Sequence, residues 1–294
     1  MCELRFVSQE PILKGWSRDR KFRVTDENGT RYLLRVSPTE QIEAKRTEFS
    51  LMRQVDALGV PMCRPLRFGT CAEGVYSLQS WIEGQDAECV IPVMPASEQR
   101  RFGIEAGRIL KKIHTLPAPA GQEDWASRFN HKIDRKLKLY ADCPVKIENG
   151  ASFIAAIDAN RHLLCDRPQV FQHGDYHIGN MMVDTDGQLV IIDFNRHDYG
   201  DPWEEFNRIV WCAQSSGPFA AGLVDGYFNG AVPAAFWRLL SLYIASNMLS
   251  SVPWAIPFGQ AEVDTMLRQA EDVLRWYDNM EKLVPSWYLG ESPA

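Results

Sequence analysis

Apolar and polar residues alternate along much of the first 83 residues, and this alternation predicts short β-strands. Residues 21–24 and 31–36 follow the pattern, and the sequence Asp-Glu-Asn-Gly at 26–29 between them is a hairpin turn signal. Strand character returns at residues 66–68 and 75–82. This part of the chain is therefore predicted to be rich in β-structure.

One amphipathic helix interrupts these strands. Ser37, Pro38 and Glu40 suit the N-cap, the first helical position and the closing residue of a capping box. Gly59 is expected to end the helix. Between these limits runs an apolar stripe at helical spacing: Ile42, Phe49, Met52 and Val55.

Helical periodicity dominates from about residue 95 onward. It is carried by residues 97–115, 125–140 and 152–164, and after Trp203 the chain is helical and aromatic nearly to its end. A β-like island interrupts the helices at residues 170–172, 181–183 and 189–193.

These patterns predict an α+β fold of two unequal lobes with the outline of a protein kinase. The small β-rich lobe with one helix is expected at residues 1–83, and the mainly helical lobe at 84–294. Glu83 and Gly84 are expected to form the connector between them.

The residues with the clearest chemistry lie between 170 and 206. His173, Asp175 and Asn180 have the spacing H-x-D-x-x-x-x-N, and the hairpin that follows ends in Asp193 and Phe194. Phosphoryl transfer needs an acceptor oxygen in line with the γ-phosphorus and cations that offset the charge of the phosphates. A carboxylate can accept the proton of the incoming hydroxyl, while an amide oxygen and a second carboxylate can bind Mg²⁺.

The hairpin explains how residues far apart in sequence can share one metal ion. Asn180 precedes the first strand, Asp193 ends the second, and an Asp-Gly turn reverses the chain between them. The two side chains should therefore lie at the same end of the hairpin. Asp175, Asn180 and Asp193 also fit structural roles, as a loop cap, a turn residue and a strand-end cap, but their joint order favours catalysis.

The sequence resembles the aminoglycoside phosphotransferase (antibiotic kinase) family of the protein-kinase-like superfamily. The resemblance covers most of the chain and is most specific in HGDYHIGNMM, VIIDFNR and GDPWEEF, within residues 173–206. It implies a two-lobed kinase-like fold that binds ATP or GTP between the lobes. It also implies that Asp175 is the catalytic base, that His173 braces the catalytic loop, and that Asn180 and Asp193 bind Mg²⁺.

Two features favour a small acceptor over a peptide. Gly174 stands where a regulated protein kinase usually has an arginine that pairs with a phosphorylated activation loop. Only seven residues separate Asp193 from Asp201, which leaves no room for an activation segment that docks a peptide. We therefore expect a small molecule that carries a hydroxyl group.

The nucleotide-binding residues are less clearly marked. Gly15 and Ser17 lie in a turn that is placed to approach phosphate, although an ordinary β-turn fits the same residues. Arg35 occupies the position of the lysine that grips phosphate in kinases, and a solvent-facing strand residue is the alternative. Glu48 is its expected ion-pair partner because it shares the inward face of the helix, whereas Glu43 lies away from that face. The hinge against the nucleotide base is expected at the end of the last strand, unless this is a plain strand end: Gln79, Ser80, Trp81 and Ile82.

Acidic residues after Asp193 mark where a cationic acceptor could bind. The resemblance implies that carboxylates of the helical lobe bind substrate ammonium groups, and the candidates are Asp198, Glu204 and Glu205. Glu204 and Glu205 could instead complement a helix dipole. Asp201 precedes a proline at a helix entrance, so we expect it to be a cap. Several tryptophans could line an acceptor pocket, although packing in the core is the commoner role: Trp203, Trp211, Trp237, Trp254, Trp276 and Trp287.

Composition excludes several other classes of protein. The 294-residue chain has a net charge of −6, whereas nucleic-acid binding needs a basic surface. An acidic surface tolerates a cationic small substrate, but it also fits a generic soluble protein. The seven dispersed cysteines favour reduced thiols over a disulfide scaffold or a zinc site. No apolar run approaches the roughly 18 residues that span a bilayer, and no secretory signal opens the chain, so we expect a cytoplasmic location and no membrane partner.

Three functions remain open on the sequence alone. The first is an antibiotic-resistance kinase that phosphorylates an aminoglycoside-like hydroxyl. The second is a metabolic kinase of the same fold that acts on choline or ethanolamine, homoserine or a sugar. The third is a non-catalytic nucleotide-binding module, suggested by Arg35 and the single glycine of the phosphate turn. The presence of Asp175, Asn180 and Asp193 argues against this third function.

Overall fold

The computed structural model describes residues 5–13 and 19–289. In chain order the strands are β1 (Ser8–Ile12), β2 (Arg20–Thr25), β3 (Arg31–Ser37), β4 (Pro65–Cys71), β5 (Gly74–Ser80), β6 (Gly84–Asp86), β7 (Val170–Gln172), β8 (Met181–Asp184), β9 (Leu189–Ile191) and β10 (Asp198–Gly200). The α-helices are α1 (Ile42–Ala57), α2 (Ala87–Val90), α3 (Ala96–Ile113), α4 (Trp125–Asp142), α5 (Ala151–Asn160), α6 (Ile209–Ser215), α7 (Gly217–Phe228), α8 (Ala234–Ala255) and α9 (Gln260–Trp276). Short 3-10 helices lie at Thr39–Gln41, Ile91–Val93, Arg161–Leu164, Ile178–Asn180, Phe194–Arg196, Glu204–Arg208 and Ile256–Phe258.

The chain forms two compact units, and the first contains the residues up to Ala87 together with Asn180–His197. An antiparallel sheet in the order β1-β2-β3-β5-β4 forms most of this unit, and α1 packs on β4 and β5. One face of the sheet buries an apolar cluster: Val24, Leu34, Val36, Tyr76 and Leu78. The predicted β-rich region with one helix is therefore confirmed.

The boundaries of the first unit differ from the predicted division at residues 83 and 84. The sequence predicts a connector at Gly84, but Gly84 begins β6, which pairs with β8, and β8 pairs with β9. A Cβ atom on Gly84 would lie 2.3 Å from the carbonyl oxygen of Val183, so this pairing requires glycine. The β8–β9 hairpin, which the sequence places in the helical lobe, therefore belongs to the first unit.

The entrance to α1 corrects the predicted capping box. A 3-10 turn at Thr39–Gln41 precedes α1, and Pro38 is its N-cap without any side-chain hydrogen bond. Ser37 ends β3 instead, and its hydroxyl donates a hydrogen bond of 2.7 Å to the carboxylate of Asp19. A bond to a buried carboxylate is stronger than one to a backbone amide, which explains why the cap is lost. The predicted stop is confirmed, since Gly59 follows the end of α1 with a φ of +70°.

The second unit contains Glu88–Gly179 and the residues from Asp198 onward, and its described part is mainly helical. Within it, α3 and α7 pack closely because each carries two glycines four residues apart. These are Gly103 and Gly107 on α3 and Gly222 and Gly226 on α7. A Cβ atom on any of the four would lie 2.1–2.3 Å from a backbone oxygen of the other helix. Only glycine allows the two helices to approach this closely.

The long helix α8 forms the core of the second unit. The sequence predicts no apolar run that could span a membrane, yet the stretch Ala234–Phe258 is long and apolar enough by length and composition alone. In the fold, 67% of the most apolar part of this stretch is buried, because α8 packs against α4, α5 and α9. A core helix that is apolar on all sides has this same composition.

The tryptophan and cysteine side chains of the described residues differ in how deeply they are buried. Tryptophans of the second unit pack mainly inside: Trp237 and Trp276 are buried, and the Trp203 ring packs against Phe236. Trp254 is more exposed, at 42% of its surface. The described cysteines are all free thiols, and Cys2 lies outside the described residues.

Candidate active site

The β8–β9 hairpin places Asn180 and Asp193 at one end of the first unit's small sheet. Met181 pairs with Ile191, and the Ile192 N–H donates a 3.0 Å hydrogen bond to the carbonyl oxygen of Asn180. Asp193 follows directly, with a left-handed backbone (φ 67°, ψ 61°) that is uncommon for a residue other than glycine. The Asp193 side chain does not cap the 3-10 turn that begins there, so its carboxylate is available to other partners.

Arg35 holds the carboxylate of Asp193. It lies on β3 and is 5% exposed, and its Nη1 donates a 2.8 Å hydrogen bond to Asp193 Oδ1. Its Nε and Nη2 donate to Asp19 Oδ2 at 3.2 and 3.0 Å. Burial alone would lower the pKa of Arg35, but Asp193 and Asp19 outweigh burial and raise that pKa above its usual value. The guanidinium is therefore a permanently charged clamp between two carboxylates.

Asp19 accepts hydrogen bonds from three side chains on two elements of the first unit, β3 and α1. Lys45 Nζ donates to Asp19 Oδ2 at 2.9 Å, and the Ser37 hydroxyl donates to Asp19 Oδ1. Burial raises the pKa of Asp19, but the hydrogen bonds from Lys45 and Ser37 and the charge of Arg35 outweigh burial and lower that pKa to about 2. Asp19 is therefore an anion over the whole physiological pH range.

The predicted direct ion pair between Arg35 and Glu48 is wrong. Glu48 is buried on the inward face of α1, as the helical pattern predicts, but its carboxylate pairs with Lys45 at 3.0 Å. Glu48 reaches Arg35 only through longer-range electrostatics. Asp19 and Asp193 already occupy the donors of Arg35, and Lys45 lies one turn before Glu48 on the same helix.

Sequence reasoning missed Asp19 and Lys45. The spacing of Lys45 and Glu48 in the helix is a detectable signal of an ion pair. No comparable signal exists for Asp19, because its contacts join residues of β3 and α1 that are far from it in the chain.

The predicted hinge residues divide into two that belong to β5 and two that follow it. The side chain of Gln79 is buried and contacts Met52 of α1, with Nε2 3.8 Å from the sulfur, and Ser80 bonds to the backbone of Arg64. Trp81 and Ile82 lie beyond the end of β5, outside the strand pairing. Their backbone groups are therefore not used by the sheet.

The predicted phosphate turn with Gly15 and Ser17 lies outside the described residues.

The oxygen donors at the end of the hairpin fit a magnesium ion. Within residues 5–13 and 19–289, no three His, Cys, Asp or Glu side chains cluster as a metal site would require. Mg²⁺ needs no such cluster, because it is commonly bound by one or two protein carboxylates, by waters and by substrate phosphates. Asn180 offers an amide oxygen, and the Asp193 side chain is 32% exposed. This donor set suits an ion that arrives with a nucleotide.

The loop that carries Asp175 belongs to the second unit and follows β7. Gly174 has a φ of +83°, and its N–H donates a 2.9 Å hydrogen bond to Glu205 Oε1. The Asp175 N–H donates to Nδ1 of the fully buried His173 at 3.3 Å. Two side chains thus hold the backbone N–H groups of Gly174 and Asp175. The sequence predicted a bracing residue at His173, but it did not identify Glu205 as one.

Helix α3 anchors the same loop. The hydroxyl of Tyr176 donates a 2.7 Å hydrogen bond to the carbonyl oxygen of Ala106, and its ring packs edge-on against His173. His114, at the end of α3, places Nε2 3.7 Å from Glu205 Oε2. The tightly packed α3 therefore supports both the loop and the glutamate that braces it.

The carboxylate of Asp175 lies beside cationic and aromatic side chains. Arg208 Nε is 3.2 Å and His177 Nε2 is 3.7 Å from Asp175 Oδ1. The His177 ring lies against Trp211, with 6.1 Å between the ring centroids. The Asp175 side chain is 18% exposed, so it is partly enclosed but still reachable.

Asp201 is not the helix cap that the sequence predicts, because the N-cap of the 3-10 turn Glu204–Arg208 is Trp203, without a side-chain capping bond. Asp201 Oδ1 instead accepts a 3.0 Å hydrogen bond from the Trp203 N–H, just before that turn. The same carboxylate is fully buried, where it accepts two hydrogen bonds from Arg167 and one from Tyr243. Asp201 therefore has a structural role in the second unit.

The other predicted substrate carboxylates also have internal partners. Asp198 lies in β10 and pairs with Arg128 at 3.2 Å, while Glu205 braces the catalytic loop. Glu204 pairs with Lys132 at 3.3 Å. Burial raises the pKa of Glu204, but Lys132 and Lys136 outweigh burial and lower it.

Lys136 lies one turn after Lys132 on α4, next to the same glutamate. Burial and then repulsion by Lys132 lower its pKa to about 7, and the charge of Glu204 only partly offsets this shift. Arg208 and Arg135 repel it further. Lys136 is therefore a poorly solvated amine in a locally positive environment.

Comparison with known proteins identifies the family and the fold of the chain. The sequence model of the phosphotransferase enzyme family, APH, matches residues 8–237. No curated protein matches the chain with significance. Among solved structures, wild-type aminoglycoside 2'-phosphotransferase-IIIa in complex with GDP is similar, with 15% sequence identity and a TM-score of 0.68 over 92% of this chain and 93% of that one.

Two further relatives have different names but the same fold. A choline/ethanolamine kinase family protein from Mesorhizobium loti is 19% identical, with a TM-score of 0.66 over 94% of this chain and 91% of that one. The amicoumacin kinase hAmiN, in complex with AMP-PNP and Ca²⁺, is 13% identical, with a TM-score of 0.65 over 94% and 90%. At these identities the likeness establishes the fold, and the family match covers well over half of the sequence. The chain therefore belongs to the phosphotransferase enzyme family and has the fold of these solved kinases.

Proposed function

We propose that this protein is a small-molecule kinase that transfers the γ-phosphoryl group of ATP or GTP to a hydroxyl group. One observation carries the proposal. A braced loop presents the carboxylate of Asp175, and five residues further along the chain begins a hairpin that brings Asn180 and Asp193 together. These are the base and the oxygen ligands that phosphoryl transfer needs, in the order of a kinase.

Asp175 accepts the proton of the acceptor hydroxyl as the new O–P bond forms and the bond to the β-phosphate oxygen breaks. The nucleoside diphosphate leaves with that oxygen. His173 and Glu205 are positioning residues, because they hold the loop backbone and not the reacting atoms. The hydrogen bonds of this loop keep the carboxylate in place without any cost at the moment of reaction.

Asn180 and Asp193 would hold Mg²⁺, which supplies charge stabilisation for the triphosphate when it is bound. Arg35 fixes the carboxylate of Asp193 through a 2.8 Å hydrogen bond. Direct contacts of Arg35 with the α/β-phosphates, of Gly15 and Ser17 with phosphate, and of Trp81 and Ile82 with the base are further parts of the proposal.

Fold relatives support a nucleotide donor. They include complexes with GDP, with ADP and with AMP-PNP, so proteins of this fold bind both adenine and guanine nucleotides. An ATP-or-GTP donor is accordingly proposed for this chain. A cytoplasmic location, with neither nucleic acid nor membrane as a partner, is proposed from the sequence.

The names of the solved relatives point to two classes of acceptor. One relative is a kanamycin complex, which supports an aminoglycoside-like acceptor and a role in antibiotic resistance. Another is a choline/ethanolamine kinase family protein, which supports a metabolic acceptor. The charges around Asp175 bear on this choice more directly than the relatives do.

The test of the proposed function is acceptor-dependent release of nucleoside diphosphate. Asp175→Asn removes the base while preserving the shape of the side chain, so we expect the turnover number to fall by at least about a hundredfold. Asp186→Asn, in the exposed turn of the β8–β9 hairpin, is the matched control and should leave turnover unchanged. Normal turnover by the Asp175→Asn enzyme would refute the role of Asp175.

A further inference from the structure

The carboxylates that the sequence assigns to a cationic acceptor already have partners within the protein. Asp198, Glu204 and Glu205 have protein partners in Arg128, Lys132 and the Gly174 N–H. Asp198 and Glu204 would each have to give up a charge-assisted hydrogen bond to bind an ammonium group, and Glu205 is 2% exposed. These three carboxylates are therefore poorly available to a polycationic acceptor.

The cations of the same region are less well satisfied. Arg208 Nε is buried without a hydrogen-bond partner, and the contact with Asp175 is its one ion pair among the described residues. Lys136 makes no hydrogen bond or ion pair within the described part of the chain, although Glu204 is close enough to affect its charge. A cation that is partly removed from water and has no hydrogen-bonding anion is costly to the folded protein.

The charges around Lys136 and Arg208 also favour an anionic ligand over a cationic one. Four cations interact electrostatically around Lys136 and Arg208, and they are Lys132, Arg135, Lys136 and Arg208. The opposing carboxylates of this cluster are Glu204 and Asp175. The region is therefore positive, although the whole chain carries a net charge of −6. Local charge, not net charge, decides which ligand a partly enclosed site binds.

We infer that the acceptor carries an anionic group, a carboxylate or a phosphate, which binds to Lys136 and Arg208 while its hydroxyl lies beside Asp175. This inference rests on the proposed function and specifies its substrate class. The anion supplies a hydrogen-bond acceptor to Arg208 Nε, which has none within the described protein, and a counter-charge to Lys136.

Protonation of Lys136 gives this site a pH dependence of known sign. Because burial and its neighbours lower its pKa to about 7, Lys136 is charged below that pH and neutral above it. The charged groups that face it are Lys132 and Arg135 on α4 itself and Glu204 and Arg208 on the 3-10 turn. On the 3-10 turn Arg161–Leu164, which also packs on α4, Arg161 is paired with Asp134. The KM for an anionic acceptor should therefore rise as the pH increases above about 7.

The experiment compares probes that differ mainly in charge. D-gluconate and glucose 6-phosphate are the anionic probes, sorbitol and glucose are their neutral counterparts, and choline and kanamycin are the cationic probes. Two readouts are taken at constant ionic strength. One is probe-dependent release of ADP or GDP, and the other is protection of Lys136 from an amine-acylating reagent at pH 7, followed by mass spectrometry.

The inference predicts that an anionic probe is turned over, or protects Lys136 from acylation. Its neutral counterpart should do neither. Gluconate and glucose 6-phosphate distinguish a carboxylate from a phosphate. Turnover of choline or kanamycin without any effect of the anions would overturn the inference while supporting the kinase. Failure of both anions to protect Lys136 or to be phosphorylated would overturn it as well. Protection of Lys136 without turnover of any probe would support the anion site and count against the proposed kinase activity.

Substitutions separate ligand binding from a structural effect. Lys136→Met should raise the KM for the anionic probe by at least about tenfold. If the probe is bound but not turned over, the concentration of probe that protects the enzyme against heat should rise by the same factor. Lys136→Arg should restore much of this loss, because it keeps a cation at the site. Lys138→Met, at an exposed position of α4, is the matched control and should change neither value. An equal loss in the Lys136→Arg and Lys136→Met proteins would mean that Lys136 acts in packing, and the inference would fail.

Discussion

Asp19 is the most heavily bonded acid of the candidate nucleotide-binding residues. Arg35, Lys45 and Ser37 all donate hydrogen bonds to its carboxylate, and these donors belong to β3 and α1. Through Arg35 the network extends to Asp193, the proposed metal ligand. The position of that ligand therefore depends on a residue that contributes nothing to the chemistry directly.

Asp19 should contribute stability that disappears in acid. Its folded-state pKa of about 2 is lower than the usual 3.8, so its stabilising effect is complete above the unfolded-state value and is lost as the pH falls toward 2. We expect Asp19→Asn to destabilise the protein at pH 7, and the difference from the parent to shrink by about 1 kcal/mol at pH 3. Urea unfolding at the two pH values measures this.

The control for this prediction is Glu27→Gln in the exposed turn after β2, which should cause no such pH-dependent difference. A stability difference that stays the same from pH 7 to pH 3 would mean that Asp19 is not held as an anion by its neighbours.

At this scale, the sequence indicates the reactive residues but not their partners. Asp175, Asn180 and Asp193 belong to one short segment whose spacing has chemical meaning. The bonds of Asp19 to Arg35 and of Glu205 to Gly174 join distant parts of the chain, and no local spacing predicts them. Local pattern also gives the wrong partner for Arg35, since distant carboxylates reach it before Glu48 does.

Among the elements, the α3–α7 pair has the most direct connection to the catalytic loop. Its four glycines let the backbones approach, and the Ala106 carbonyl of α3 then accepts the hydrogen bond of Tyr176. Any separation of α3 from α7 should therefore affect both stability and the position of Asp175.

Gly107→Ala is the substitution that tests this connection. Its Cβ would lie 2.2 Å from the carbonyl oxygen of Leu223, so the helices must move apart, and we expect a loss of stability of about 2–3 kcal/mol. The turnover number should fall in protein that remains folded. Gly217→Ala, on α7 itself, is the control, because its Cβ would meet Trp287 at an ordinary 3.6 Å. Unchanged urea unfolding of the Gly107→Ala protein would show that the helices need no glycine there.

Secondary structure was predictable where the periodicity is long. The helix at α3 and the β8–β9 hairpin follow from regular spacing and a strong turn signal. The capping box at Ser37 failed because a buried carboxylate recruits its hydroxyl, and the strand β6 escaped notice because three residues carry no period. The glycines of α3 are unfavourable for an isolated helix, so only the packing of α7 explains them.

For the whole molecule, the family and the fold follow from the match over residues 8–237 and from solved relatives. The predicted division at residue 83 places the β8–β9 hairpin in the helical lobe, whereas its strand pairing with β6 and its contact with Met62 make it part of the first unit. Net charge was likewise a poor guide, because an acidic chain can still present cations around Asp175.

The central claim assigns separate tasks to Asp193 and Asp175, and nucleotide binding measured with and without Mg²⁺ distinguishes them. Calorimetric titration with AMP-PNP should show that Mg²⁺ tightens binding to the parent enzyme and to Asp175→Asn by a similar factor. The same titration of Asp193→Asn should show at least about a tenfold smaller effect of Mg²⁺. An undiminished effect of Mg²⁺ in the Asp193→Asn enzyme would contradict the account, because the hairpin would then not present the metal ligand.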